Sequence, residues 1–66
     1  MIVRIKRGKK LFNQVCDVAR RNDLNIVKTS KTPEENILIL WSDNYTNFLY
    51  FKSNVDILDG IIDCKY

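Results

Sequence analysis

"NILILWSDNYTNFLYF" (residues 36–51) consists of two apolar runs separated by a polar turn. Both runs have the length of a β-strand and are rich in branched and aromatic side chains, which favour strands. We therefore predict strands over residues 37–41 and 47–52, joined as an antiparallel hairpin. Apolar residues occupy both parities of each run, so both faces of this hairpin would avoid water.

The N-terminal half predicts a strand, a helix and a second strand. Residues 1–6 alternate between an apolar face and a face that carries Arg4 and Lys6. In residues 9–22 the apolar side chains recur with the helical period and fall within an arc of roughly 160°. Residues 24–30 alternate again. Thr32-Pro33-Glu34-Glu35 has the form of a helix start, but the apolar run that follows limits it to one helical turn at most.

The C-terminal tail fits two structures. Asp59-Gly60 is a hairpin signal, but a two-residue turn there would place Asp56 opposite Asp63, an unfavourable pair of like charges. A helix over residues 55–64 instead collects Asp56, Asp59 and Asp63 on one acidic face and the apolar residues on the other. We predict the helix, and the hairpin remains the alternative.

Together these segments predict a single α+β domain, residues 1–66, in the order β-α-β-β-β-α. The architecture is a small two-layer domain with a four-stranded, mostly antiparallel sheet and two helices. If both helices cover one face, an apolar patch on the other face becomes a protein-binding site. Its members would be Ile37, Ile39, Trp41, Phe48 and Tyr50. If one helix covers each face, no such patch exists.

The composition offers little for catalysis or for a cofactor. The chain has no histidine and only two cysteines, Cys16 and Cys64. The usual general base is therefore missing, and there are fewer Cys and His side chains than the four that a structural zinc site usually requires. We predict no enzyme activity, no metal site and no cofactor. Both cysteines are interpreted as small buried apolar residues, with a disulfide between them as the alternative.

The charge is unevenly distributed along the chain. Residues 1–33 hold nine Lys and Arg against two Asp, whereas residues 34–66 hold two Lys against six acidic residues. A basic half of this kind indicates either an anionic partner or a solvated surface. The candidate contacts to nucleic acid or to an acidic partner are Arg4, Lys6, Arg7, Lys9, Lys10, Lys28 and Lys52.

Location and origin are inferred from what the sequence contains. No apolar stretch approaches the roughly 20 residues of a membrane span, and the N-terminus does not have the pattern of a signal peptide. We expect a cytoplasmic protein. Asn, Ile, Lys and Asp are abundant and Ala19 is the only alanine, a composition typical of AT-rich genomes, in which many short proteins are phage or viral accessory products.

The sequence therefore predicts a small non-catalytic binding protein, a phage or viral accessory protein that inhibits a host or defence protein, in the host cytoplasm and as a homodimer. The alternative is a nucleic-acid-binding module that uses the basic N-terminal half and an aromatic sheet face. A minor structural subunit of a larger assembly is a third interpretation.

Overall fold

The computed structural model describes all residues, 1–66, and contains four β-strands and two α-helices. In chain order the elements are β1 (Ile2–Lys6), α1 (Lys9–Arg21), β2 (Asn25–Lys31), β3 (Glu35–Trp41), α2 (Tyr45–Val55) and β4 (Ile61–Lys65). All strand pairs are antiparallel. The predicted fold class is confirmed, because the protein is a small α+β domain with one four-stranded antiparallel sheet and two helices.

The order of the last two elements differs from the prediction. The observed order is β-α-β-β-α-β, and the strands lie side by side as β2-β3-β1-β4. This order and this strand arrangement define the split β-α-β topology that is also called ferredoxin-like. A topology shared by many unrelated proteins does not identify a function.

Helix α1 forms where the helical period predicts it. Its apolar face packs on the sheet, and its fully buried members are Val15, Cys16 and Ala19. The helix ends at Arg21 and is followed by the C-cap residue Asn22, whose side-chain Nδ2 donates a hydrogen bond to the carbonyl of Val18 at 2.8 Å. The backbone N–H of Asn22 donates to the same carbonyl at 3.2 Å, so this residue contacts the last turn of the helix twice.

The β2–β3 connection uses the predicted capping residues without making a helix. The hydroxyl of Thr32 accepts hydrogen bonds from the N–H groups of Glu34 and Glu35, at 3.3 Å and 3.0 Å. These are the contacts of a helix N-cap, but Glu35 already begins β3. Pairing of β3 with both β1 and β2 therefore replaces the helical turn, and β3 begins two residues earlier than predicted.

Residues 47–52, predicted as a strand, belong to helix α2, so this prediction was wrong. Asn44 precedes the helix, and its side-chain oxygen accepts a hydrogen bond from the N–H of Thr46 at 3.0 Å. Asparagine is among the strongest N-cap residues, and this cap lies within what we interpreted as a hairpin turn.

The buried face of α2 explains why its sequence resembles a strand. Phe51 and Val55, four residues apart, are buried, and Phe48, one turn before Phe51, packs against the same core. Leu49 and Tyr50 lie on the exposed part of the helix. Because these exposed positions are also apolar or aromatic, the helical period is hidden in the sequence.

Residues 55–64, predicted as a helix, divide among the end of α2, a turn and strand β4. Gly60 has φ +98°, a conformation that favours glycine, and its carbonyl accepts a hydrogen bond from the N–H of Lys6 at 2.8 Å. Strand β4 then pairs with β1. The hairpin alternative is also wrong, because the partner of β4 is the N-terminal strand and not the segment that precedes the turn.

Both helices cover the same face of the sheet. The buried core consists of alternate residues of β1 and β3, residues of both helices, and Leu24 in the connection between α1 and β2. Its members are Val3, Ile5, Val15, Cys16, Ala19, Leu24, Leu38, Leu40, Phe51 and Val55. The arrangement with one helix on each face is therefore excluded, and the second face of the sheet has no layer on it.

Candidate functional site

The face of the sheet away from the helices, here called the open sheet face, has an apolar centre of Ile2, Ile37, Ile39 and Trp41. Ile2 in β1 lies directly opposite Ile39 in β3, and residues opposite each other in an antiparallel pair point to the same face. Ile37 and Trp41 share this face with Ile39, because alternate residues of a strand point the same way. The four side chains therefore form one patch.

This apolar centre is exposed to solvent. Trp41 is 55% exposed, Ile2 is 48% exposed and Ile39 is 36% exposed, while Ile37 is half-buried. Contiguous exposed apolar surface on a small protein marks a site of interaction more often than isolated apolar residues do. The patch lies on strands held by hydrogen bonds on both sides, so its geometry does not depend on loops.

An ion pair lies beside the apolar centre. The guanidinium of Arg4 donates two hydrogen bonds to Glu35, Nε to Oε2 at 2.9 Å and an Nη to Oε1 at 2.6 Å. Such two-point contacts are among the stronger ion pairs at protein surfaces. The hydrogen bond and charge of Arg4 lower the pKa of the Glu35 carboxyl below its ordinary value, and the same contact raises the pKa of Arg4.

The remaining charges of the open sheet face lie around its margin. Lys28 is opposite Ile39, and Lys65 is opposite Ile2. Asp63 is opposite Arg4, and its carboxylate is 3.7 Å from the ammonium of Lys65. The charged residues of this face are Arg4, Lys6, Lys28, Lys65, Glu35 and Asp63. Cations therefore outnumber carboxylates. Lys6 lies opposite Glu35, but neither Lys6 nor Lys28 forms a salt bridge.

The structure brings together three of the five residues predicted for the protein-binding patch. Ile37, Ile39 and Trp41 are neighbours on the open sheet face. Phe48 and Tyr50 are not part of it, because they lie in α2 on the other side of the sheet. Phe48 packs on the core and against the ring of Tyr66, with ring centroids 6.0 Å apart, whereas Tyr50 is exposed.

The predicted basic contacts are distributed over three parts of the molecule. On the open sheet face lie Arg4, Lys6 and Lys28. At the N-terminal end of α1 lie Arg7, Lys9 and Lys10. Lys52 lies in α2, where its ammonium is 3.9 Å from the carboxylate of Asp56. The helices and sheet thus separate residues that the sequence analysis treated as one group.

The predicted acidic helix face does not exist. Asp56 is the C-cap of α2, Asp59 lies in the following turn and Asp63 lies on the open sheet face of β4. The three carboxylates were grouped by a helical wheel, and that grouping disappears because the segment is not a helix. No set of three potential metal-ligating side chains converges anywhere in the structure.

Both cysteines are free thiols. Cys16 is buried in the core, and Cys64 is half-buried on the core side of β4 opposite Val3. Desolvation raises the pKa of each thiol, which lowers the fraction of reactive thiolate at neutral pH. The positions of the two cysteines fit their interpretation as apolar packing residues, and the alternative, a disulfide between them, is not formed.

Sequence reasoning missed Ile2 and Lys65 as members of the open sheet face. Ile2 shares its parity with Arg4 and Lys6 in an alternating strand, and that signal would have found it. Lys65 had no such signal, because it joins the face only through the pairing of β4 with β1.

Neither helix is long and apolar enough to cross a membrane. No protein-family model matches the chain, and no curated protein and no solved structure is significantly similar to it. The function is therefore inferred from the open sheet face.

Proposed function

We propose that this is a small non-catalytic protein that binds another protein through the open sheet face. The observation that carries this proposal is the exposure of Ile2, Ile39 and Trp41 side by side on a face that neither helix covers. An aromatic anchor among aliphatic side chains, with charges at the margin, has the composition of a protein interface.

The size of the face fits such an interface. A standard protein–protein interface takes about 800 Å² from each partner, which is less than a fifth of this protein's 4475 Å² of accessible surface. One face of a two-layer domain of this size is therefore large enough to form a standard protein–protein interface.

The charge of the open sheet face favours a different protein over a second copy of this chain. Its cations outnumber its carboxylates, so two copies docked face to face would place like charges near one another. The complementary partner has an apolar centre and an acidic margin, which would pair with Lys6 and Lys28, neither of which forms a salt bridge. The homodimer is the competing outcome.

The same face is less suited to single-stranded nucleic acid. Base stacking uses aromatic side chains, and only Trp41 of the predicted aromatics lies there. Glu35 already pairs with Arg4, and Asp63 adds a second carboxylate. These features support a protein partner over the nucleic-acid alternative at this site.

The finer hypothesis is that docking inhibits a host or defence protein and that the chain is a phage or viral accessory product. It rests on the amino-acid composition, which is typical of AT-rich genomes. Its test is the partner's activity, which should fall in proportion to the fraction bound.

The binding site is tested by comparing two exposed aromatic residues on opposite sides of the sheet. A photo-crosslinking residue at position 39 first identifies the partner, and the interaction is then measured with purified proteins. We expect Trp41→Ala to raise the Kd by roughly 30-fold or more, the effect of an interface hot spot. The matched control, Tyr50→Ala on α2, should change the Kd less than about twofold.

Three results would overturn the proposal. One is loss of binding in Tyr50→Ala but not in Trp41→Ala, which would place the site on α2. The second is crosslinking at position 39 only to a second copy, with a dimeric mass by light scattering. The third is crosslinking only to nucleic acid with a steep dependence of binding on salt.

A further inference from the structure

An open cleft lies on the helix side of the sheet, between the N-terminal end of α1 and the ends of β2 and β3. Its volume is about 740 Å³, within the range of small-molecule sites. The lining residues that bear on its chemistry are Arg7, Gly8, Lys9, Thr29, Lys31 and Asn36. Because the sheet lies between this cleft and the open sheet face, binding in the cleft is independent of the protein-binding proposal.

The N-terminal end of α1 presents free N–H groups at this cleft. Gly8 is the N-cap and provides no side-chain cap, and the first backbone hydrogen bond of the helix runs from the N–H of Phe12 to the carbonyl of Gly8 at 3.0 Å. The N–H groups of Lys9, Lys10 and Leu11 have no acceptor in the protein. No acidic residue lies in the first turn, so the positive end of the helix dipole is not neutralised.

Asn36 is the second, independent indication of a ligand. It lies on the core side of β3, opposite Ile5 and Lys31, and is only 9% exposed. Its side-chain amide makes no hydrogen bond within the protein, and no fully buried side-chain N or O lacks a partner. The amide atoms are therefore not fully buried, and Asn36 is among the residues that line the cleft. A nearly buried side-chain amide without a partner in the protein leaves two donors and one acceptor free for a bound molecule.

The charge of the cleft defines the ligand. Arg7, Lys9 and Lys31 line it, and no carboxylate does. The guanidinium of Arg7 donates a hydrogen bond to the carbonyl of Thr32 at 2.7 Å, which holds the cation near the cleft. Backbone N–H groups at a helix end, an amide and three cations are donors that match a compact oxyanion with more than one negative charge.

We propose that this cleft binds a phosphate monoester, with the phosphate at the N-terminal end of α1 and within reach of the Asn36 amide. The backbone N–H groups of the first turn contact the phosphate oxygens, and Lys31 and Arg7 balance its charge. The rest of the ligand occupies the remainder of the cleft. Two sources share this chemistry, a free phosphorylated small molecule and the 5′-phosphate of a nucleic-acid strand.

The site is tested by titrating the protein with inorganic phosphate at low ionic strength and following backbone and side-chain amides by NMR. We expect saturable shifts that are confined to the first turn of α1 and to the side-chain amide of Asn36. Chloride at matched ionic strength is the control. Shifts that are absent, or that spread over all the surface lysines without saturating, would overturn the proposal.

Single substitutions then test which residues of the cleft contribute to phosphate binding. Asn36→Leu should raise the Kd for phosphate about tenfold, the effect of losing one hydrogen bond to a charged group, and Lys31→Gln should raise it by roughly threefold. The control is Arg21→Gln, which removes one charge at the far end of α1, about 18 Å away. The variants are compared at an ionic strength of about 0.1 M, where the screening length is about 10 Å and a charge at this distance is largely screened. Equal Kd values for Lys31→Gln and Arg21→Gln would refute a specific site, even if Asn36→Leu does not fold.

The source of the phosphate is decided by two further titrations. A nucleoside 5′-monophosphate and a pair of identical oligonucleotides, one with a 5′-phosphate and one with a 5′-hydroxyl, are compared with inorganic phosphate. Tighter binding of the mononucleotide alone assigns a small-molecule site, and tighter binding of the 5′-phosphorylated strand alone assigns a strand end. Equal binding of both oligonucleotides without dependence on Asn36 contradicts the monoester site.

Discussion

Adjacent residues of β3 allow a direct test of which sheet face is covered. Leu38 and Ile39 are isomeric side chains in the middle of the same strand, and they point to opposite faces. Leu38 is fully buried, at 0% exposure, whereas Ile39 is 36% exposed. Replacing each by alanine removes the same three carbon atoms, so the difference in cost reports the difference in surroundings.

The magnitudes follow from burial. Three buried carbons are worth about 2.4 kcal/mol of transfer free energy, and the cavity left behind raises the cost of Leu38→Ala to about 3–4 kcal/mol. Because Ile39 is 36% exposed, only about two thirds of this transfer free energy is lost in Ile39→Ala, and no closed cavity forms. We therefore expect Ile39→Ala to lower the free energy of unfolding by about 1.5 kcal/mol. The expected difference of about 2 kcal/mol corresponds to roughly 8–16 °C in Tm for a domain of this size.

The assay is urea unfolding followed by circular dichroism and by the fluorescence of Trp41, the only tryptophan. A domain of this length has a total stability of about 3–10 kcal/mol. If Leu38→Ala leaves too little folded protein, Leu38→Val and Ile39→Val provide a gentler version of the same comparison. Costs that agree within about 0.5 kcal/mol, or a larger cost at Ile39, would refute the assignment of an uncovered face.

Protein concentration extends this test to self-association. Stability that depends on an interface between copies rises with concentration. The cost of Ile39→Ala should therefore be the same in dilute and concentrated samples if the open sheet face binds a different protein. A cost that grows with concentration would indicate the homodimer.

Two further predictions concern single contacts. The ion pair with Arg4 lowers the pKa of Glu35 below the ordinary glutamate value of 4.5. The pair therefore stabilises the folded protein above pH 4.5, and this stabilisation is lost as the pH falls from 4.5 through the lower pKa of the folded state. Glu35→Gln should flatten this acid limb in urea unfolding measured from pH 6 downward, and an unchanged slope would contradict the assignment. Gly60→Ala should destabilise the protein by about 1–3 kcal/mol, because Gly60 has φ +98° and an added Cβ would lie 2.6 Å from Cδ2 of Leu11. A Tm equal to that of the unchanged protein would show that the turn before β4 is not constrained in this way.

Local pattern was sufficient for the first half of the chain. Strand β1 and helix α1 each have one apolar face and one polar face, so the periods of two and 3.6 residues are visible without further information. The same clear alternation predicted the core parity of β1 and the basic character of its other face. Both features are present in the structure.

The second half could not be assigned by pattern. The helix α2 has apolar or aromatic residues on its buried and exposed sides alike, and β4 is short, so neither has a clear period. A helical wheel and an alternating pattern then fit the same residues about equally well. The Asn44 cap and the positive φ of Gly60 decide between them, and their effect depends on what the neighbouring segments can pack against.

The sequence by itself determined that this is a small α+β domain with more apolar residues in its strands than one covered face requires. Only the tertiary structure decided that both helices cover the same face, because that choice depends on where β4 pairs and on which side α2 crosses. The same packing leaves Trp41 exposed with Ile39 and Ile2, and moves Phe48 into the core. It also places Asn36 in the same cleft as Gly8 and Lys9 at the N-terminal end of α1, an arrangement of distant segments that no local period contains.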